Sequence, residues 1–360
     1  MSNQSLSFIH DSLPQKIRFG FGEASANLLE EVRTRNAQSV MVIAGEPEMP
    51  IAKQVASEIE VAVWHSDVVM HVPIETAQAA REVAVDNQVD LLVCVGGGST
   101  TGIAKAVALE TGIPIVAVPT TYAGSEATNV WGLTEEKRKT TGVDIKVLPE
   151  TVIYDSKLTL SLPVEMSVAS GLNGMAHCVD SLWAPKADPI NAALAGEGIR
   201  ALSAGLPKIV EDSQSIEGRD EALYGAYLSA VSFASAGSGL HHKICHVLGG
   251  TFNLPHAQTH ATILPYVLAF NAPYAPGAEQ RMAAAFGTQT GLEGLQQLRE
   301  KVNAPARLSD YGFSADGIPE AVSIVLEKVP ANNPREVTEE NLTQLLTAAL
   351  NGDDPAILSN

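Results

Sequence analysis

The feature that most constrains this chain is an alternation, over its first 160 residues, of short β-branched runs with segments of helical spacing. Residues 39–44, 61–64, 91–95 and 115–118 are continuous apolar runs bounded by Gly, Pro or Asp, as strands buried on both faces are. Between them, residues 24–34, 51–60, 76–87 and 101–109 carry apolar side chains at helical spacing. Residues 17–21 read as an extra strand and 152–154 as the last one. Such alternation predicts an open, mostly parallel α/β sheet with right-handed crossovers. After about residue 160, β-branched runs become scarce and helical periodicity continues to the end. Pro163 starts a helix well and continues one badly, so it marks a boundary. The expectation is an α/β nucleotide-binding domain over 1–160, an all-helical substrate domain over 161–360, and a ligand cleft between them.

Charge narrows the partners. With 41 acidic and 23 basic residues the chain carries a formal −18, which repels phosphate backbones and anionic membranes. No run approaches the roughly 18 apolar residues that span a bilayer. The opening residues lack a basic stretch followed by an apolar one, so no secretory leader is expected. Cys94, Cys178 and Cys245 each sit in an apolar run, as small hydrophobes do, which fits a reduced, cytoplasmic setting. An anionic ligand would require cations gathered locally against the overall field.

Two loops carry nucleotide-binding chemistry. Gly96-Gly97-Gly98-Ser99 lies between a strand and a helix. Without Cβ atoms its N–H groups can approach a phosphate, and the helix N-terminus adds partial positive charge. Ser99 is a candidate N-cap or phosphate donor. A bare strand–helix turn is the alternative, because the usual G-x-G-x-x-G fingerprint is absent: Thr101 stands where its last Gly would be. The next strand is followed by Pro119-Thr120-Thr121-Tyr122-Ala123-Gly124-Ser125-Glu126, whose hydroxyls suit either the same crevice or an ordinary polar turn.

Five of nine histidines fall between residues 241 and 260. His242 and His246 share a helix face, Gly249-Gly250 is expected to end that helix, and Pro255-His256 begins another. Asn173 and His177 form a further i,i+4 pair. Imidazoles converging from separate helices make either a metal site or a proton-transfer site.

These motifs, in this order, resemble the iron-containing alcohol dehydrogenase family over roughly residues 20 to 270. The resemblance implies a nucleotide-binding α/β domain, a helical C-terminal domain and NAD(P) in the cleft. In metal-dependent members one Asp and three His hold a divalent ion; by position the histidines would be His177, His242 and His256, with His246 a nearby non-ligand. The Asp position is Asn173 here, and a neutral amide oxygen is a weak donor, so no metal is expected. That departure, with Gly239-Leu240-His241-His242-Lys243-Ile244-Cys245-His246, is similar to one branch, the maleylacetate reductases. The branch implies NADH- or NADPH-dependent reduction of the C=C of maleylacetate to 3-oxoadipate in bacterial breakdown of aromatic rings, by a homodimer acting on a small anionic keto-diacid. A metal-dependent alcohol or polyol dehydrogenase that tolerates Asn173 is the alternative, and a non-redox member that keeps the cleft is a third.

The resemblance assigns Gly96, Gly97, Gly98 and Ser99 to the pyrophosphate, and Thr120, Thr121 and Ser125 to the nicotinamide side. It places Lys139 near the ribose, where a solvated charge run is an equal reading. Glu46 would accept from a ribose 2′-hydroxyl and repel a 2′-phosphate, which leans to NADH. Hydride addition to a conjugated C=C develops an enolate, which calls for hydrogen-bond donors and a proton source. His177, His242, His246, His256 and Asn173 are the candidates. His241, His242 and Lys243 would supply cations for the substrate carboxylates, with Lys243 as a plain surface charge the alternative.

Overall fold

The computed structural model describes residues 6–70, 72–135 and 138–359, with the side chains at 138 and 139 outside that description. Eight strands are present among them: β1 Lys16–Phe19, β2 Val40–Ile43, β3 Val63–His65, β4 Leu91–Gly96, β5 Ile115–Pro119, β6 Val130–Glu135, β7 Arg138–Val143 and β8 Thr151–Tyr154. Six form a wholly parallel sheet in the order β1-β8-β5-β4-β2-β3, crossed by α1 Ala24–Arg35, α2 Met49–Val55, α3 Ile74–Asp86 and α4 Gly98–Thr111. The expected open parallel sheet is there. The helix expected over 51–60 instead starts earlier and stops at Val55, and α4 begins three residues before expectation, inside the glycine run.

The sheet is buried on both faces, which is why its strands lack polar alternation. Val42, Val93, Val118 and Ile153 point to one side, against Leu28 and Ala52. Ile43, Cys94, Ala117 and Tyr154 point to the other. Glu31 is buried between β1, α1 and β8, accepting from Arg18 Nε (2.8 Å), Lys16 Nζ (3.2 Å) and Thr151 Oγ1 (2.8 Å). β6 and β7 form an antiparallel hairpin outside the sheet that the sequence reading did not foresee. Alternating polar residues and a charged run in the sequence hide it, since that pattern also describes a loop.

The remaining helices are α5 Val164–Ser181, α6 Pro189–Glu211, α7 Ile216–Ala236, α8 Leu240–Phe252, α9 His256–Asn271, α10 Pro276–Phe286, α11 Gly291–Lys301, α12 Ile318–Leu326 and α13 Glu339–Asn351. None is long and apolar enough to cross a membrane. Gly249-Gly250 does not end α8: the helix continues to Phe252 and stops at Asn253, which adopts the left-handed conformation with φ 55°. Asn tolerates that region and satisfies the same terminal geometry that a Gly would.

The second face of the sheet shares its core with the helical half, Tyr122, Val152 and Tyr154 packing in one cluster with Leu172, Met175, Leu202 and Leu206. Arg219, fully buried on α7, clamps the junction. Its guanidinium donates to Tyr122 Oη (3.1 Å), Ser167 Oγ (2.7 Å) and the carbonyls of Leu162 (3.0 Å) and Ser213 (3.1 Å). Leu240, Ile244, Ile263, Val267, Leu342 and Leu345 make a separate core behind α8 and α9.

Candidate active site

β3 leaves β2 on one side and β4 lies on the other, so the strand order reverses between β2 and β4. A crevice opens outside the carboxyl ends of strands at such a point. The cleft there, about 630 Å³, is walled by Gly97, Gly98, Ser99 and Thr100 after β4 and by Thr121 after β5. Gly45, Glu46, Pro47 and Glu48 after β2, and Ser66, Asp67, Val68 and Met70 after β3, complete it. Gly97, not Ser99, is the N-cap of α4; Ser99 sits in the first turn, where the N–H groups have no partner within the helix. Gly96 has φ 155°, and a Cβ on Gly97 would lie 3.1 Å from Thr121 Cγ2, inside the cradle. An N-terminus open to the cleft, a cradle that a Cβ would fill and carboxylates at the far end fit a dinucleotide.

Buried Lys105 holds the loop after β5. Its Nζ donates to the carbonyls of Ser125 (2.7 Å), Thr128 (2.8 Å) and Val130 (2.8 Å) and to Thr128 Oγ1 (3.1 Å). Burial pulls this amine down to about 7, against the opposing charge of Glu126. Thr120 is buried, Thr121 faces the cleft, and Ser125 opens a 3-10 turn. Lys139 lies in β7, opposite Thr134, its side chain beyond the described residues.

The same loop reaches the histidines. Gly124, at φ 77°, lies against α5, where a Cβ would stand 3.5 Å from His177 Nδ1. Asn173, His177 and Asp180 recur at i, i+4 and i+7, one face of α5, and all three are buried. The His177 ring stacks on His242 (5.0 Å between centroids, 14° between planes) and on Phe233 (4.7 Å). His242 lies 5.2 Å from His241, 6.0 Å from His246 and 5.0 Å from His260, and His256 lies 4.3 Å from His260. Six imidazoles thus meet in one place. His241 Nε2 and His260 Nδ1 are hydrogen-bonded at 3.0 Å.

Burial sets the charge of this cluster. It takes His177 down to about 4 and, with neighbouring histidines adding, His241 to about 3, while His242 and His260 fall well below the ordinary value. Burial thus works against the cationic role expected of His241 and His242, since a charged ring there would lose its hydration, although the Asp180 carboxylate stands 2.7 Å from His242 Nδ1. Nor do these rings keep the near-neutral pKa expected of a proton source. Lys243 is half-buried, its amine lowered chiefly by burial, and donates to Ser238 Oγ at 2.8 Å.

Donor geometry tests for a metal. Ligand atoms on one ion with bonds near 2.1 Å lie within roughly 4.2 Å of each other. The three histidines that the resemblance assigns do not meet this condition. Nitrogen lone pairs lie in the ring plane, and the near-parallel stacked rings of His177 and His242 do not aim at a common point. Asn173 contributes only a neutral oxygen. Among the described residues, the one triple of His, Cys, Asp or Glu whose ligand atoms lie within 4.8 Å is His241, Cys245 and His260. The family's ion does not fit these side chains as they stand. Four polar atoms are nevertheless buried without a partner: Asn173 Oδ1, His177 Nδ1, His242 Nε2 and His260 Nε2.

Three residues of the site were not singled out in the sequence: Asp180, Phe233 and His260. Asp180 Oδ2 accepts from His242 Nδ1 (2.7 Å) and from the Gly239 N–H (2.7 Å). Burial raises its carboxyl to about 6, against the hydrogen bonds it accepts. Its signal was available in the spacing from Asn173 and His177. Phe233 carries no local signal.

Comparison with known proteins settles the lineage. The model described as "Iron-containing alcohol dehydrogenase" matches residues 14–156, and that described as "Fe-containing alcohol dehydrogenase family, C-terminal" matches 167–350. The chain belongs to the iron-containing alcohol dehydrogenase family. It is an oxidoreductase. Within this family, a maleylacetate reductase from Sphingobium indicum is 43% identical over 354 residues, 97% of this chain and 99% of that protein. The crystal structure of an iron-containing alcohol dehydrogenase from Corynebacterium glutamicum, 76% identical, superposes with a TM-score of 0.98 over 99% of this chain and 100% of that one. That of a maleylacetate reductase from Agrobacterium tumefaciens, 37% identical, gives 0.91 over 97% and 99%.

Proposed function

We propose that this protein is a cytoplasmic maleylacetate reductase that uses NADH to reduce the conjugated C=C of maleylacetate, giving 3-oxoadipate. The full-length similarity to proteins of that name supports the activity. The observation that carries the site is the junction at Gly124, where the loop after β5 runs from the dinucleotide cradle onto His177. The carboxylates of Glu46, Glu48 and Asp67 on the cleft wall disfavour the 2′-phosphate of NADPH.

When bound, NADH would supply the hydride for the β-carbon of the substrate. The π pair then moves onto the carbonyl oxygen as an enolate. Neutral imidazoles and the Asn173 side chain are arranged to hydrogen-bond that oxygen, in a setting dry enough for each bond to count. His242 Nε2, buried and without a hydrogen-bond partner, is the atom best placed to relay a proton from water to the α-carbon. His177, His246 and His256 belong to the same cluster of rings, and Lys243 offers an ammonium for a substrate carboxylate. The His241–His260 pair is behind His242 and acts as a wall.

Loss of NADH absorbance on adding maleylacetate, with and without chelator, tests this reading. Equal turnover in both is expected. Turnover that needs added iron or zinc, or that proceeds with simple aldehydes and not with maleylacetate, would favour the metal-dependent alcohol dehydrogenase.

A further inference from the structure

Asp180 is completely buried, and its shell consists only of donors. Oδ2 accepts from His242 Nδ1 at 2.7 Å, from the N–H of Gly239 at 2.7 Å and from that of His242 at 3.4 Å. Oδ1 accepts the indole N–H of Trp183 at 3.3 Å. A carboxylate suits four donors, whereas a carboxylic acid would have to find an acceptor for its own hydrogen. The hydrogen between Oδ2 and Nδ1 therefore resides on the ring. Room for this arrangement exists because residue 239 is Gly: a Cβ there would lie 2.4 Å from Asp180 Oδ1. The opposite nitrogen, His242 Nε2, is buried with no partner.

We infer that Asp180 is a positioning residue for the reduction: it fixes His242 as the Nδ1–H form and turns Nε2 toward the reacting carbon. The inference rests on the reductase reading above. In the step it serves, Nε2 first takes a proton from water, the Asp180 carboxylate offsetting the charge of the imidazolium, and then releases it as the enolate pair forms the C–H bond. The hydride has already supplied the two electrons. The ring is left neutral, with Nδ1–H still on Asp180. A mere tie between α5 and α8 would need none of this directionality.

The test uses the full-length protein and Asp180→Asn. The amide donates to Nδ1, so nitrogen NMR of labelled histidine should show His242 as Nδ1–H in the wild type and Nε2–H in the variant. Turnover should fall about 100-fold or more, with NADH affinity within about 2-fold. The solvent deuterium isotope effect should grow while that of NADH deuterated at C4 fades, because proton delivery becomes the slow step. Should Asp180→Asn fold poorly, Gly239→Ala displaces the carboxylate without changing either partner, and a loss of about 10-fold with the same isotope pattern is expected. Asp180→Glu should restore part of the rate.

Three results would overturn the inference: an Nε2–H tautomer in the wild type, Asp180→Asn turnover within about 3-fold of wild type, or a parallel fall of turnover and NADH affinity with unchanged isotope effects. A wild type that ignores maleylacetate would instead defeat the substrate reading, and the tautomer measurement would still decide the role of Asp180.

Discussion

The proposed dinucleotide cradle at α4 presents main chain, whereas the proposed reaction site on α5, α8 and α9 presents side chains brought from far apart in sequence. At the first, the helix N-terminus and three glycines supply donors that no substitution removes, so the way to damage it is to add bulk. At the second, each ring has its own neighbours and each polar atom its own place, so truncation is what harms it. The two ends also differ in electrostatics. In the proposed reading phosphate would meet N–H groups, while the chemistry would fall to imidazoles whose charged form burial disfavours.

The largest effect should come from truncation at the side-chain end. His242→Ala removes the unpartnered Nε2 and the ring that stacks on His177, and turnover with maleylacetate should drop about 1000-fold while NADH still binds. A drop below about 10-fold would dissolve the distinction between the two ends.

Next is a contrast between two buried carboxylates. Glu31 also lies under considerable burial, but hydrogen bonds from Arg18, Thr151 and Lys16 overcome that penalty and hold it below its ordinary value. Its contribution is therefore complete above its unfolded pKa and lost as pH falls through the lower folded one. Glu31→Gln should cost about 2 kcal/mol of stability at neutral pH, with the gap from wild type closing in acid, and leave turnover unchanged. Asp180, where burial outweighs the hydrogen bonds it accepts, shifts the opposite way, so stability is lost as pH rises from its unfolded value through about 6. Denaturant titrations at pH 7 and pH 4 check the sign for Glu31.

A smaller effect probes the main-chain end. Gly97→Ala pushes a methyl group toward Thr121, and KM for NADH should rise about 10-fold with turnover nearly intact. An equal loss in turnover would mean that the cradle also sets the hydride geometry. Smallest of all, Lys139→Ala should change turnover by less than about 3-fold, since β7 lies outside the six-stranded sheet.

The parallel sheet and the glycine cradle were legible in sequence because both are local: a buried strand announces itself in five residues, and a phosphate loop in four. Of the two roles open to Ser99 in sequence, N-cap or phosphate donor, the backbone removes the first, because Gly97 takes the cap. The histidine cluster was legible as a crowd, but its internal arrangement was not. Charge was expected at His241 and His242 because an anionic substrate calls for cations, and depth of burial, a property of the whole fold, works against it. The α5 face could have been followed one step further, from Asn173 and His177 to Asp180. His260 was in plain view but outside the motif.

The core that joins the sheet to α5 and α6, with the Arg219 clamp above it, has a consequence for how the molecule comes apart. Neither half owns a complete apolar interior, so severing them would leave both with wet faces and a guanidinium stripped of its four acceptors. Heating should give a single calorimetric transition, and a fragment ending near Tyr154 should not stand alone.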